Sequence, residues 1–148
     1  MSVKELEIGV DEAKKILEFL KLLDRLELGH ASIIEQIEAY ESNNERIHTA
    51  LAKSPNLPDQ LCLKLANSSN WYVLLALSSN MNTQSESLDI MSFNENVIIR
   101  STCARHPNFR LDSIKRLALD HDAYVRRGVK LNPHTPKELI EEMNETNS

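Results

Sequence analysis

Residues 96–121 read NVIIRSTCARHPNFRLDSIKRLALDH, and residues 122–148 read DAYVRRGVKLNPHTPKELIEEMNETNS. Laid over one another, the two stretches share an order of features. Each opens on Asn or Asp, places a core Ile or Val three residues on and an Arg directly after it, then passes through a Pro-containing connector to a second apolar run. The offset is 26 residues, and it extends backwards without a gap. Ile47, Val73, Ile99 and Val125 keep it, as do Asn44, Asn70, Asn96 and Asp122, and Leu65, Met91, Leu117 and Met143. A period of this length marks a stack of helical pairs in which each unit buries its apolar face only against its neighbours. The expected fold is therefore all-α: a short α-solenoid of two-helix repeats at 44–69, 70–95, 96–121 and 122–148, within a single domain spanning 1–148.

The local chemistry supports the helical reading. The opening Asn or Asp of each unit is a strong N-cap, because its side-chain oxygen accepts a bond from a free first-turn amide. Ala50/Ala76/Thr102/Gly128 and Leu51/Leu77/Cys103/Val129 join Ile47/Val73/Ile99/Val125 at helical spacing, so the first helix buries one face. The small middle column predicts close approach of adjacent helices. Pro55, Pro107 and Pro133 stop the first helix, since proline pushes the preceding residue out of helical geometry. Unit two has Asn80-Met81-Asn82 at this point, which predicts a weaker stop. The second helix is expected to start at Leu57, Thr83, Phe109 and Thr135, with capping boxes at Thr83/Glu86 and Thr135/Glu138 and with Pro58 and Pro136 in the first helical position.

Residues 11–43 depart from the pattern. A long helix is expected over 11–28, and Ile33, Ile34 and Ile37 repeat the spacing of Leu61, Cys62 and Leu65. The segment reads as a degenerate first unit lengthened into an N-terminal capping helix, as solenoids need. Its apolar stripe is wider than one neighbour requires, so the chain is expected as a monomer or as a dimer through this helix.

An apolar fraction of 41% and a charged fraction of 26% place the chain among ordinary globular proteins. No 18-residue apolar run suggests a membrane span, and the N-terminus lacks a secretory pattern. Two cysteines in different repeats do not suggest a disulfide framework, and a cytoplasmic location is the expectation. The net charge of −5 hides a polarity. Residues 1–45 carry 11 acids and 5 bases, whereas residues 96–137 carry 9 bases and 3 acids.

The run Ala123-Tyr-Val-Arg-Arg-Gly-Val-Lys-Leu-Asn-Pro-His-Thr-Pro-Lys-Glu-Leu-Ile140, with the junction Asp120-His-Asp before it, resembles the leucine-rich repeat variant family. That family joins a Val-Arg helix to an Asn-Pro-x-Thr-Pro turn, a Leu-bearing helix and an Asp-rich junction. Residues 96–121 match well, 44–69 moderately and 70–95 poorly. The resemblance covers about residues 44–143 and implies a right-handed solenoid akin to HEAT and armadillo repeats, with the second helix partly 3₁₀. An iron–sulfur cluster carried by one kind of member on N-terminal cysteines is not implied, because no cysteine precedes Cys62.

Little in the chain points to catalysis. Cys62 and Cys103 stand in core columns and read as small buried hydrophobes. The five histidines show no metal-ligand spacing, and no phosphate loop or nucleophile elbow is present. No cofactor and no catalytic residue is expected. Arg100 and Arg126 follow Asn94 and Asp120 by six residues, which suits a ladder between units. Arg105, Arg110, Arg116, Arg126, Arg127 and Lys130 form a candidate basic face. Trp71, Leu74, Leu75 and Phe93 replace polar residues of other units and form a candidate apolar patch, a composition typical of partner sites. The function expected is a non-catalytic protein–protein interaction module. The alternatives are a nucleic-acid-binding solenoid using the basic residues of 96–137, and an inhibitor or immunity protein for a basic toxin.

Overall fold

The computed structural model describes residues 3–146, with side chains from residue 9 onward. Among the described residues there are ten helices and no strands. They run α1 (Val3–Glu27), α2 (Ile33–Glu41), α3 (Glu45–Ala52), α4 (Asp59–Ala66), α5 (Trp71–Ser79), α6 (Ser85–Met91), α7 (Val97–Arg105), α8 (Leu111–Leu117), α9 (Ala123–Leu131) and α10 (Lys137–Glu145). The odd-numbered helices pack in order, α1 on α3, α3 on α5, α5 on α7 and α7 on α9. The architecture is repeat-like, because the same positions recur at the same places in successive helix pairs.

The capping residues behave as the period predicts. Asn44, Asn70, Asn96 and Asp122 are extended and accept first-turn amide hydrogens of α3, α5, α7 and α9. Each such cap contributes ~1 kcal/mol over alanine. The core columns are closed: Ile47, Val73, Ile99 and Val125 are buried, as are Leu51, Leu77, Cys103 and Val129. Gly128 marks the tightest approach. A Cβ added there would lie 2.8 Å from the Ser101 carbonyl oxygen and 3.2 Å from the Ala104 Cβ, so α9 sits directly on α7.

Three local expectations change. The second helix of every unit is α-helical, not 3₁₀. Thr83 and Thr135 form no capping box. Both are buried, and each hydroxyl donates at 2.6 Å back to the preceding helix, to Leu77 O and Val129 O. The caps fall one residue later, on Pro58, Gln84, Arg110 and Pro136, none of which makes a side-chain capping bond. Without a proline, α5 still ends in the same column as α7 and α9. Asn80 is extended, like His106 and Asn132 in the same column. Its amide donates to Ala52 O at 2.9 Å and Ser54 O at 2.8 Å. A side-chain amide thus ends the helix where proline does so elsewhere.

At the N-terminal end, α1 begins at Val3 rather than residue 11. Phe19, Leu22, Leu23 and Leu26 pack onto the core, whereas every residue from 9 to 18 is exposed. The expected cap therefore covers α3 with its C-terminal half only. The α2 start carries a Ser32/Glu35 capping box, and Arg25 of α1 binds Glu35 at 2.7 Å.

Candidate functional site

The junctions between units hold the most organised polar chemistry. Arg100, on the first turn and a half of α7, is only 6% exposed. Its Nε donates to Asp120 Oδ2 at 2.9 Å and its Nη2 to Asp120 Oδ1 at 3.1 Å, a bidentate pair across the next junction. Its Nη1 donates to the carbonyls of Asn94 at 3.0 Å and Glu95 at 2.8 Å. Burial alone would raise the Asp120 carboxyl pKa. The Arg100 hydrogen bonds, the Asp122 amide and the Arg100 charge outweigh it and hold the carboxyl below its ordinary range.

Arg126 repeats half of this arrangement 26 residues later. Its Nη1 donates to the carbonyls of Asp120 at 2.8 Å and His121 at 3.1 Å, the counterparts of Asn94 and Glu95. Among the described residues no carboxylate meets its Nε and Nη2. The position 26 residues after Asp120 is Thr146, and it lies at the end of α10 because that helix runs to Glu145, two residues beyond the counterpart of the α8 end. The fork that Asp120 fills for Arg100 is therefore open at Arg126.

The same column explains a correction. Leu74 shares it with His48, Arg100 and Arg126, and the three polar members reach into junctions. His48 Nε2 lies 2.7 Å from Tyr40 O. Leu74 is 3% exposed and belongs to the core, not to a surface patch. Its relation to two arginines already assigned to junctions was the signal that could have placed it. Leu75 is half-buried. Trp71 is 42% exposed and its ring lies 4.0 Å from that of Tyr72, a neighbour sequence reasoning did not select. Phe93 is 66% exposed and lies under the Arg116 guanidinium at 3.8 Å, so its contact is with a cation of the next unit. The apolar set is thus divided between core and separate surface contacts.

The basic set is divided as well. Arg110 donates to Ser85 Oγ at 3.1 Å and to Glu86 at 3.5 Å, and Arg116 to Ser92 Oγ at 2.6 Å with Asp89 at 3.6 Å. The Ser113 hydroxyl also donates to Asp89. These bonds tie α8 to α6. Lys130 donates to Asn144 at 2.6 Å. Arg105 and Arg127 are exposed and make no ion pair among the described residues. An apolar groove of about 550 Å³ opens between α8 and α10, walled by Leu111, Ala118, Leu119, Pro136, Leu139 and Met143.

The connectors form a second ladder. His106 Nε2 donates to Asn80 O at 2.9 Å while its Nδ1 accepts the Asn108 amide at 3.0 Å, which fixes the neutral tautomer. Asn132 reaches back to Ala104 O and His106 O, both at 2.8 Å. Burial lowers the His106 pKa, partly offset by the Asn80 carbonyl. Cys62 and Cys103 are buried in the core as the columns imply, and burial pushes the Cys103 thiol up to about 12. Among the described residues no group of three or more His, Cys, Asp or Glu is placed to hold a metal ion, and no helix is long and apolar enough to cross a membrane.

Compared with known proteins, the chain matches no family model, no curated protein and no solved structure.

Proposed function

We propose that this chain is a non-catalytic protein-interaction module, a right-handed α-solenoid of the leucine-rich repeat variant type, and that it engages an acidic segment of a partner protein through α9. The open guanidinium fork of Arg126 carries this reading. The same residue type in the same column takes a carboxylate bidentately at Arg100, so the chemistry that completes Arg126 is already specified. Arg127 and Lys130 lie on the same helix, which carries no acid between Ala123 and Leu131. Bidentate Arg–carboxylate pairs are both strong and directional, and charge complementarity gives such contacts their partner choice.

A nucleic-acid partner is the weaker reading. It needs an array of free cations tracking phosphates. Arg110 and Arg116 face carboxylates, and Lys130 has an intramolecular acceptor.

Capture from native extract, at low and moderate salt, tests the proposal with wild-type and Arg126→Ala protein. The wild type should retain a protein that the variant loses while the variant, weakened by the loss of two carbonyl bonds, is still folded at the temperature of capture. Retention of nucleic acid that falls steeply with salt and survives Arg126→Ala would assign the surface to phosphate instead.

A further inference from the structure

Asp120 does two things at once. Its carboxylate fills the Arg100 fork, and Oδ1 also accepts the Asp122 amide at 2.9 Å. Asp122 in turn caps α9 through the Tyr124 amide. The carboxylate in the fork therefore stands two residues before a helix N-cap, on the chain whose next helix packs against α7. The same turn recurs at other junctions. Asn94 Oδ1 accepts the Asn96 amide at 2.8 Å, and Ser68 Oγ accepts the Asn70 amide at 3.1 Å. Such a turn fixes the side-chain oxygen relative to the helix that follows it. At the counterpart of Asp120, the Thr146 hydroxyl turns back to Glu142 O and Met143 O, so α10 does not supply this element to Arg126.

The outer side of α9 differs from the inner helices in the residues that receive a neighbour. On α7, Ser101 and Ala104 both face Gly128 of α9, and the Ser101 hydroxyl donates to Tyr124 O at 3.3 Å. Ala52 and Ser78 share the column of Ala104, and all three are fully buried. On α9 the same two columns hold Arg127 and Lys130. A helix laid on α9 with apolar side chains at these points would bury two cations without partners, which is costly. Carboxylates at the same points would pair them. Arg127 is exposed and makes no ion pair among the described residues. Lys130 gives one of its three ammonium hydrogens to Asn144.

We infer, resting on the proposed reading of α9 as a site for an acidic segment, that this segment is the start of a partner helix laid on α9 as α9 lies on α7. An Asp two residues before the partner's N-cap fills the Arg126 fork. Glu residues four and eight positions after that Asp meet Arg127 and Lys130. The spacing is copied from the inner junction, where Tyr124 and Gly128 follow Asp120 by four and eight residues and face Ser101 and Ala104. Four and eight residues are roughly one and two helical turns, so the two Glu share a face. Acids in the first turn also suit the dipole of the partner helix.

Calorimetry at low salt tests the inference on an alanine-rich peptide of about 20 residues, long enough to be partly helical in water. It opens Asp-Ala-Asp-Ala-Glu-Ala-Ala-Ala-Glu. The controls are a scramble of the same composition, the peptide with Asn for its first Asp, and hexaglutamate. Far-UV circular dichroism checks that each protein variant is folded at the temperature of the titration. The ordered peptide should bind wild type about tenfold tighter than its scramble, a preference lost on Arg126→Ala and with the Asn peptide. Arg127→Ala should weaken the ordered peptide, and should cost less once Ala replaces the first Glu. Equal affinity for the ordered and scrambled peptides, with hexaglutamate binding still dependent on Arg126, overturns the helix start and leaves the acidic-segment reading standing. Absence of binding by every acidic peptide, or binding that Arg126→Ala leaves unchanged, overturns both.

Discussion

The third and fourth units follow the same 26-residue pattern, yet one is clamped on both sides and the other is open. In unit three, α8 is tied back to α6 by Arg110, Ser113 and Arg116, and Arg100 is tied forward to Asp120. In unit four, a groove separates α10 from α8, and Arg126 keeps its carbonyl bonds without a carboxylate among the described residues. One residue type in one column therefore holds units together in the first case and faces an unfilled place in the second. On the proposed reading, a repeat residue serves recognition where its intramolecular partner is missing, not where its identity changes.

The largest expected effect tests the clamp. Arg100→Ala takes both guanidinium bonds from the Asp120 carboxylate, whose side chain is 8% exposed and keeps only the Asp122 amide and His121 nearby, and should destabilise the fold by about 3 kcal/mol in urea denaturation. Its loss should also shrink under acid. The folded Asp120 carboxyl titrates below its unfolded value, so its stabilisation is full above about pH 4 and falls as pH drops through the folded value. A cost near that of a surface pair would remove the contrast between the two arginines.

Leu74→Ala comes next. The residue shares the junction column and is buried, so the substitution should cost about 2–5 kcal/mol. A melting curve close to wild type would return Leu74 to the surface. Gly128→Ala should cost about 1–3 kcal/mol, because the added carbon meets Ser101 backbone across the α7–α9 contact. An unchanged transition would mean that the two units do not press as closely as the geometry shows.

His106→Asn probes the connectors. The folded His106 pKa is lowered, so its contribution is full above about pH 6.5 and is lost as pH falls below that. Asparagine makes the same reach at 80 and 132. The variant should match wild type within about 1 kcal/mol at pH 7 and show a flatter stability profile from pH 6.5 to 5. An equally steep profile would assign the acid sensitivity elsewhere.

The helical pairs and their order were legible because capping Asn, core Ile/Val and the 26-residue offset are local and repeated. Thr83 and Thr135 were misassigned because Thr-x-x-Glu satisfies a capping box in sequence, while in the fold a carbonyl of the preceding helix competes for the hydroxyl and wins. Arg110 and Arg116 looked like free cations because Glu86 and Asp89 lie 24 and 27 residues away in the chain. The open fork at Arg126 was hidden for a related reason: its identity matches Arg100, and only the end of α10 differs.

Binding of a hexaglutamate peptide at low salt, measured by calorimetry on wild type and Arg126→Ala, tests the central claim most directly. A carboxylate completing the fork should bind the wild type and lose about tenfold in affinity on Arg126→Ala, equivalent to about 1.4 kcal/mol, with the variant still folded at the temperature of the titration. Equal affinity for the two proteins, or loss of affinity only through unfolding, would contradict it.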